Sequence, residues 1–308
     1  MRRLFALLMI AFAPSLALAQ TEEAQKAVDQ KLATLQFLTT LQRPNGGFAP
    51  GSKQEQANLS GTIAAVRALH YVSGKPVAEA VPNVKDTVGF VMACYDPKTG
   101  TFADMPNGKQ SSVALTSIGV MVAVDLSIPR DKYSMAMDYL KDHVKTFEDA
   151  RIAAAAIEAW GVKNCPFDLK PWIELADKHL GPTGAAGEGD AMPRETGSAA
   201  ALKLRLGIPR RQFVNANKLD DVLQAGQWID GGYGRGGAKG SDLESTYRVM
   251  RAFMLMKERP KNRAGMREFI ASCRNKDGGY GVKPGEASSA GGTYFAAIIA
   301  HWLDDMEK

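Results

Sequence analysis

The chain has 308 residues, of which 45% are hydrophobic, 23% charged and 8% aromatic, with a formal charge of +5. That balance supplies a large core and excludes a disordered chain. Thirty glycines without a Gly-X-Y period exclude collagen, and no run of Lys and Arg marks a nucleic-acid footprint.

The N-terminus reads as an export signal. Arg2 and Arg3 form a basic start, Leu4 to Leu16 is an apolar stretch broken by Pro14, and Ala17-Leu18-Ala19 is a small-residue cleavage site before Gln20. The competing reading is an N-terminal anchor helix, which Pro14 and the cleavage site oppose. Beyond this stretch no apolar run reaches the roughly 18–20 residues that a membrane span needs. The expected organisation is therefore a signal peptide over 1–19 and one domain over 20–308, exported to the periplasm or the outside. Cleavage would remove two arginines and no acid, leaving 36 Lys and Arg against 33 Asp and Glu, or +3.

The remainder repeats itself. Phe37 to Phe48 (FLTTLQRPNGGF), Phe90 to Phe102 (FVMACYDPKTGTF), Val222 to Tyr233 (VLQAGQWIDGGY) and Phe269 to Tyr280 (FIASCRNKDGGY) each open on an apolar helical stretch and close on Gly-x-aromatic or Gly-Gly-aromatic. Thirteen or 14 residues after the closing aromatic comes Thr62, Thr116, Thr246 or Thr293, each opening an Ala-rich or apolar helical run. Weaker copies cover Phe147 to Trp160 and Trp172 to Leu206, giving six helix pairs over about 28–305. Self-similarity at this period marks stacked helical hairpins. The first helix of a pair is amphipathic, and glycine is expected to end it as a left-handed cap. The second is small on most faces, as at Ala64, Ala65 and Ala68, Ala153 to Ala156, and Ala199 to Ala201. Such a helix suits an inner ring surrounded by neighbours. The predicted fold is all-α: an α/α toroid of about six hairpins, with an alanine-rich inner ring and an amphipathic outer ring.

These segments resemble the repeats of the protein prenyltransferase β-subunits and the squalene and oxidosqualene cyclases. The likeness covers nearly the whole mature chain. The resemblance implies a toroid more strongly than it implies a reaction, since one fold hosts many functions. In the prenyltransferases an Asp-x-Cys pair opening the penultimate inner helix, and a His opening the last, hold one zinc ion. Asp242 matches the first ligand, but Glu244 stands at the Cys position and the His position falls near Gly292. Zinc chemistry of the family type is not expected, and no other cofactor is implied; Asp242 and Glu244 are left as weak catalytic candidates. The Asp-x-Asp-Asp acid of the squalene cyclases is absent, and the chain is about half their length.

The resemblance also implies an anion site. The family binds the prenyl diphosphate with Arg and Lys upstream of the zinc Asp, and here the stretch runs from Gly234 through Arg235 and Lys239 to Asp242. Glycines around two cations before a helix N-terminus can cradle phosphate; the alternative is a solvated loop. Tyr247 and Tyr294 are candidates for an isoprenoid wall, against plain packing. Arg194 and Arg248 are candidates for added positive charge near the rim, against ordinary surface arginine. Cys94 and Cys273 share one repeat position, where the first repeat has Leu41, so they read as core residues. His70, His143, His179 and His301 lack metal-ligand spacing.

The leading expectation is an exported toroid that binds an isoprenoid or other apolar ligand with an anionic head; any activity would be that of a transferase or cyclase without the family zinc site. One alternative is a non-catalytic interaction module with a protein partner. Another is a carbohydrate-active toroid using carboxylates such as Asp190, Glu195, Asp242 and Glu244.

Overall fold

The computed structural model describes residues 13–237 and 240–308. The helices alternate between two layers. The outer layer is α1 (Ala13–Thr40), α4 (Val84–Ala93), α6 (Met135–His143), α8 (Lys170–Leu180), α10 (Ala216–Ala225) and α12 (Arg263–Ser272). The inner layer is α2 (Leu59–Ser73), α5 (Val113–Asp125), α7 (Phe147–Trp160), α9 (Met192–Arg205), α11 (Leu243–Met256) and α13 (Ala290–Glu307). A single-turn α3 (Val77–Ala80) follows α2, and a short antiparallel hairpin pairs Tyr95–Asp96 with Thr101–Phe102. Each inner helix packs against the next, and α13 packs back onto α2, so the ring is closed. The alanines are where a crowded inner helix requires them: Ala65, Ala68, Ala153, Ala154, Ala199 and Ala200 are fully buried.

One polar device recurs at the start of the inner helices. Asn58, Ser112, Thr146, Asp242 and Ser289 cap α2, α5, α7, α11 and α13, each side chain accepting a hydrogen bond from a first-turn backbone N–H. Four residues on, the repeat threonines accept from the turn aromatic. Thr62, Thr116, Thr246 and Thr293 take the backbone N–H of Phe48, Phe102, Tyr233 and Tyr280 at 3.0, 3.2, 3.0 and 3.1 Å. Thr196 does the same for Ala186 at 2.9 Å. The threonine is thus the bolt between turn and inner helix, and every one of the five is buried.

The turn glycines work differently from the expected helix caps. α1, α4 and α12 end before their glycines are reached, and the cap residues Cys94 and Cys273 are right-handed. The first turn glycine, left-handed at Gly46, Gly100, Gly231 and Gly278, instead lies against the backbone of the next outer helix. A Cβ there would strike Asp86 of α4, Met135 of α6, Met266 of α12 and Ala33 of α1, respectively. The last of these contacts closes the ring, because it joins the final turn to the first helix. Thr34 of α1 donates to the Gly278 carbonyl at 2.8 Å, just as Thr87 of α4 donates to the Gly46 carbonyl at 2.8 Å.

The export signal lies largely outside the described residues; 13–19 form the start of α1, which is exposed from residue 24 to 32. No helix among the described residues is long and apolar enough to cross a membrane.

Candidate functional site

Charged residues meet at two levels of the ring. The first is a rim at the N-terminal ends of α7, α9 and α11. Asp242 is fully buried; its Oδ1 accepts from the Ser245 backbone N–H at 2.8 Å and its Oδ2 from the Ser245 hydroxyl at 2.8 Å. It is the cap of α11, in the position that Asn58, Ser112, Thr146 and Ser289 hold elsewhere. Glu244, two residues on in the first turn of α11, receives three guanidinium groups: Arg235 at 2.6 Å, Arg248 at 2.7 Å and Arg194 at 3.3 Å. Burial works against ionising Glu244, but Arg248, Arg194 and Arg235 outweigh it and hold its carboxyl below the usual range. Arg235 is half exposed and also faces Asp242 at 3.4 Å. Arg194 bonds Glu195 at 2.7 Å as well. The predicted anion-binding Arg235 is therefore already occupied by carboxylates, and its expected partner Lys239 lies outside the described residues.

The second level is the lumen, between the C-terminal halves of the inner helices. A cavity of about 340 Å³ opens there. Its charged lining is Arg67, Asp125, Glu158, Arg205 and Arg251, one residue from each of α2, α5, α7, α9 and α11. Arg67 pairs with Asp125 at 2.6 Å and Arg205 with Glu158 at 3.2 Å. Burial opposes charge on Arg67, yet Asp125 pushes its pKa up. Arg251 has no carboxylate within ion-pair distance among the described residues. Its guanidinium sits 4.6 Å from the Trp302 ring centre and 5.5 Å from that of Tyr247, and one N–H bonds the Tyr247 hydroxyl at 3.3 Å. Its Nε is buried without a hydrogen-bond partner. Tyr247 and Tyr294 do come together, with hydroxyls 3.5 Å apart. Tyr247 stacks on Trp302 at 5.5 Å, and Tyr294 lies beside Tyr71 and Phe295.

A family model described as "Prenyltransferase alpha-alpha toroid domain" matches residues 6–165 and 135–308, which together span nearly the whole chain. The chain belongs to the prenyltransferase α/α-toroid family. No curated protein matches it.

The residues of this toroid do not fit the zinc ion that the family implies. Both Asp242 oxygens are engaged by the first turn of their own helix, and three guanidiniums surround Glu244, where a dication would be repelled. Gly292 supplies no side chain. Among the described residues no group of three His, Cys, Asp or Glu side chains is placed to hold a metal. His179 lies instead against Glu195 at 3.4 Å and stacks on Phe147, and Cys94 and Cys273 are buried.

The lumen charges were not among the predicted site residues, although their signal is present in the repeat. The positions five and nine residues after the repeat threonine are Arg67 and Tyr71, Met121 and Asp125, and, for the +9 and +5 places of the later units, Arg205 and Arg251. All six line the cavity. A charge on a helix that is surrounded by neighbours has only the lumen to face.

Proposed function

We propose that this protein is an exported, ligand-binding toroid whose lumen takes an apolar ligand by its anionic head, with Arg251 as the principal contact for that head. The single observation that supports this reading is the charge pattern of the cavity. Two of its three arginines carry a carboxylate partner, and Arg251 carries none among the described residues. A guanidinium offers five donors in a planar fork, suited to phosphate or carboxylate. Tyr71, Met121, Tyr294 and Trp302 supply apolar surface around it. The cavity volume lies at the lower end of the roughly 300–1,000 Å³ typical of small-molecule sites. That suits a head and a short chain rather than a long isoprenoid.

This reading moves the head from the Arg235–Lys239 stretch to the lumen, because Arg235 is neutralised by Asp242 and Glu244. It concerns binding and assigns no turnover. Titration calorimetry with geranyl diphosphate tests it. Charge-assisted hydrogen bonds contribute about 1.5–3 kcal/mol, so Arg251→Met should weaken binding roughly ten- to 100-fold while the thermal transition stays cooperative. Absence of binding to the wild-type protein would overturn the proposal.

A second reading, a protein-interaction module, is favoured by one surface feature. Ile229 is 98% exposed at the tip of a turn. Beside it runs a groove of about 600 Å³ lined by Met192, Pro193, Val222, Ala225 and Trp228. Recovery of one stoichiometric partner that is lost in Ile229→Asp would support that reading over the first.

A further inference from the structure

We propose that Tyr247 is a lumenal proton-accepting site: a phenolate that neutralises Arg251 in the ligand-free toroid and takes up one proton from solvent when an anionic head displaces it. The exchange with a ligand rests on the lumen being the ligand site; the phenolate itself does not.

The geometry around the phenol oxygen carries the inference. Arg251 donates to it at 3.3 Å and the Tyr294 hydroxyl points at it from 3.5 Å. Arginine has no acceptor, and among the described residues no carboxylate or carbonyl accepts a hydrogen bond from the Tyr247 hydroxyl. A neutral Tyr247 phenol would have only the Tyr294 hydroxyl to donate to, whereas a phenolate accepts from both Arg251 and Tyr294. The charge census of the lumen points the same way. Arg67, Arg205 and Arg251 face Asp125 and Glu158, which leaves one positive charge over. An uncompensated buried charge is costly, and a phenolate at Tyr247 closes the balance.

The titratable and charged groups facing Tyr247 come from four of the inner helices. They are Arg67 and Tyr71 from α2, Arg205 from α9 and Tyr294 from α13, beside Arg251 on its own helix, with Asp125 and Glu158 engaged by Arg67 and Arg205. Burial opposes ionisation of Tyr247, but Arg251, Arg205 and the Tyr294 hydroxyl overcome it and lower the pKa of the phenol. Burial and the neighbouring Tyr247 push Tyr294 the other way, so Tyr247 is the phenol of the pair that gives up its proton first.

On binding, the head forms its ion pair with Arg251, the Arg251–phenolate pair breaks, and Tyr247–O⁻ becomes Tyr247–OH with a proton from the buffer. No other bond changes.

Absorbance at 295 nm, where phenolate absorbs and phenol does not, tests the site without a ligand. In the wild-type protein one tyrosine should ionise well below the ordinary value of about 10, and Tyr247→Phe should remove that step. A wild-type titration with no ionisation below about pH 9 would overturn the proposal. Should Tyr247→Phe fail to fold, wild-type protein labelled at tyrosine Cζ gives the same answer by NMR, through one early-titrating resonance among eight tyrosines. Calorimetry with geranyl diphosphate in two buffers of different ionisation enthalpy then tests the exchange. Uptake of one proton per ligand is expected in the wild type and none in Tyr247→Phe. Binding without proton uptake would refute the exchange and leave the ligand site standing. No binding would refute the ligand site and leave the 295 nm titration to decide on Tyr247.

Discussion

Closure of the ring at the α1–α12 turn can be tested by a single methyl group. Gly278 has φ +88°, and an added Cβ would fall on the Ala33 carbonyl of α1. Two costs follow in Gly278→Ala. A left-handed conformation costs a non-glycine residue about 1–2 kcal/mol. Pushing α1 away also strips the 2.8 Å hydrogen bond from Thr34 to the Gly278 carbonyl, about 1 kcal/mol more. Gly207→Ala separates the two costs: Gly207 has φ +86° with no atom within 4 Å of the added Cβ. Urea unfolding followed by circular dichroism should therefore show Gly278→Ala losing at least about 1 kcal/mol more than Gly207→Ala. Gly46→Ala, which meets α4 in the same way, should resemble Gly278→Ala. Thr34→Val combined with Gly278→Ala should cost less than the sum of the two, since both break one contact. Equal losses in Gly278→Ala and Gly207→Ala would refute the claim that the seam between first and last repeat is a packed interface.

Other outcomes follow from the same contacts. Thr246→Val removes the acceptor of the buried Tyr233 N–H, so it should destabilise the fold by about 1–3 kcal/mol, with Thr246→Ser much milder, as read by thermal denaturation. Glu244 has a lowered pKa in the folded ring. Its contribution is therefore full above the ordinary glutamate value of about 4.3 and is lost as pH falls through the folded value. Melting temperature should drop over that acid range by more in the wild type than in Glu244→Gln. Because Asp242 caps α11 and Glu244 is held by arginines, added zinc or a chelator should leave the melting temperature unchanged. Intact-mass measurement of the protein secreted by a bacterial host should give Gln20 as the first residue.

The ring was legible because its rules are local. A glycine-aromatic turn, a threonine 13 or 14 residues on and a small-faced helix each leave a mark within one repeat. The cap role of Asp242 was not read from the sequence and emerges on aligning it with Asn58, Ser112, Thr146 and Ser289 in the folded ring. Two features were not legible for physical reasons. The turn glycines look like helix caps in one dimension, but their left-handed backbone serves an approach by another helix, which only the stacking of repeats reveals. The ion pair of Arg235 with Glu244, nine residues later, has no mark in the glycine-rich stretch and depends on the path of the loop. The lumen site was harder to see because each helix contributes a single charge. Arg67, Asp125, Glu158, Arg205 and Arg251 form no motif along the chain, and only their register against the repeat threonine brings them together. Tyr247 and Tyr294 each directly follow a repeat threonine. Their hydroxyl contact depends on α11 and α13 being neighbours in the ring.

A crystal structure of the complex with geranyl diphosphate tests the lumen most directly, by showing where the phosphorus atoms sit. Binding by the lumen predicts the diphosphate on Arg251, with the chain against Tyr71, Tyr294 and Trp302. A diphosphate held on the loop between Gly234 and Asp242, with the lumen unchanged, would contradict it.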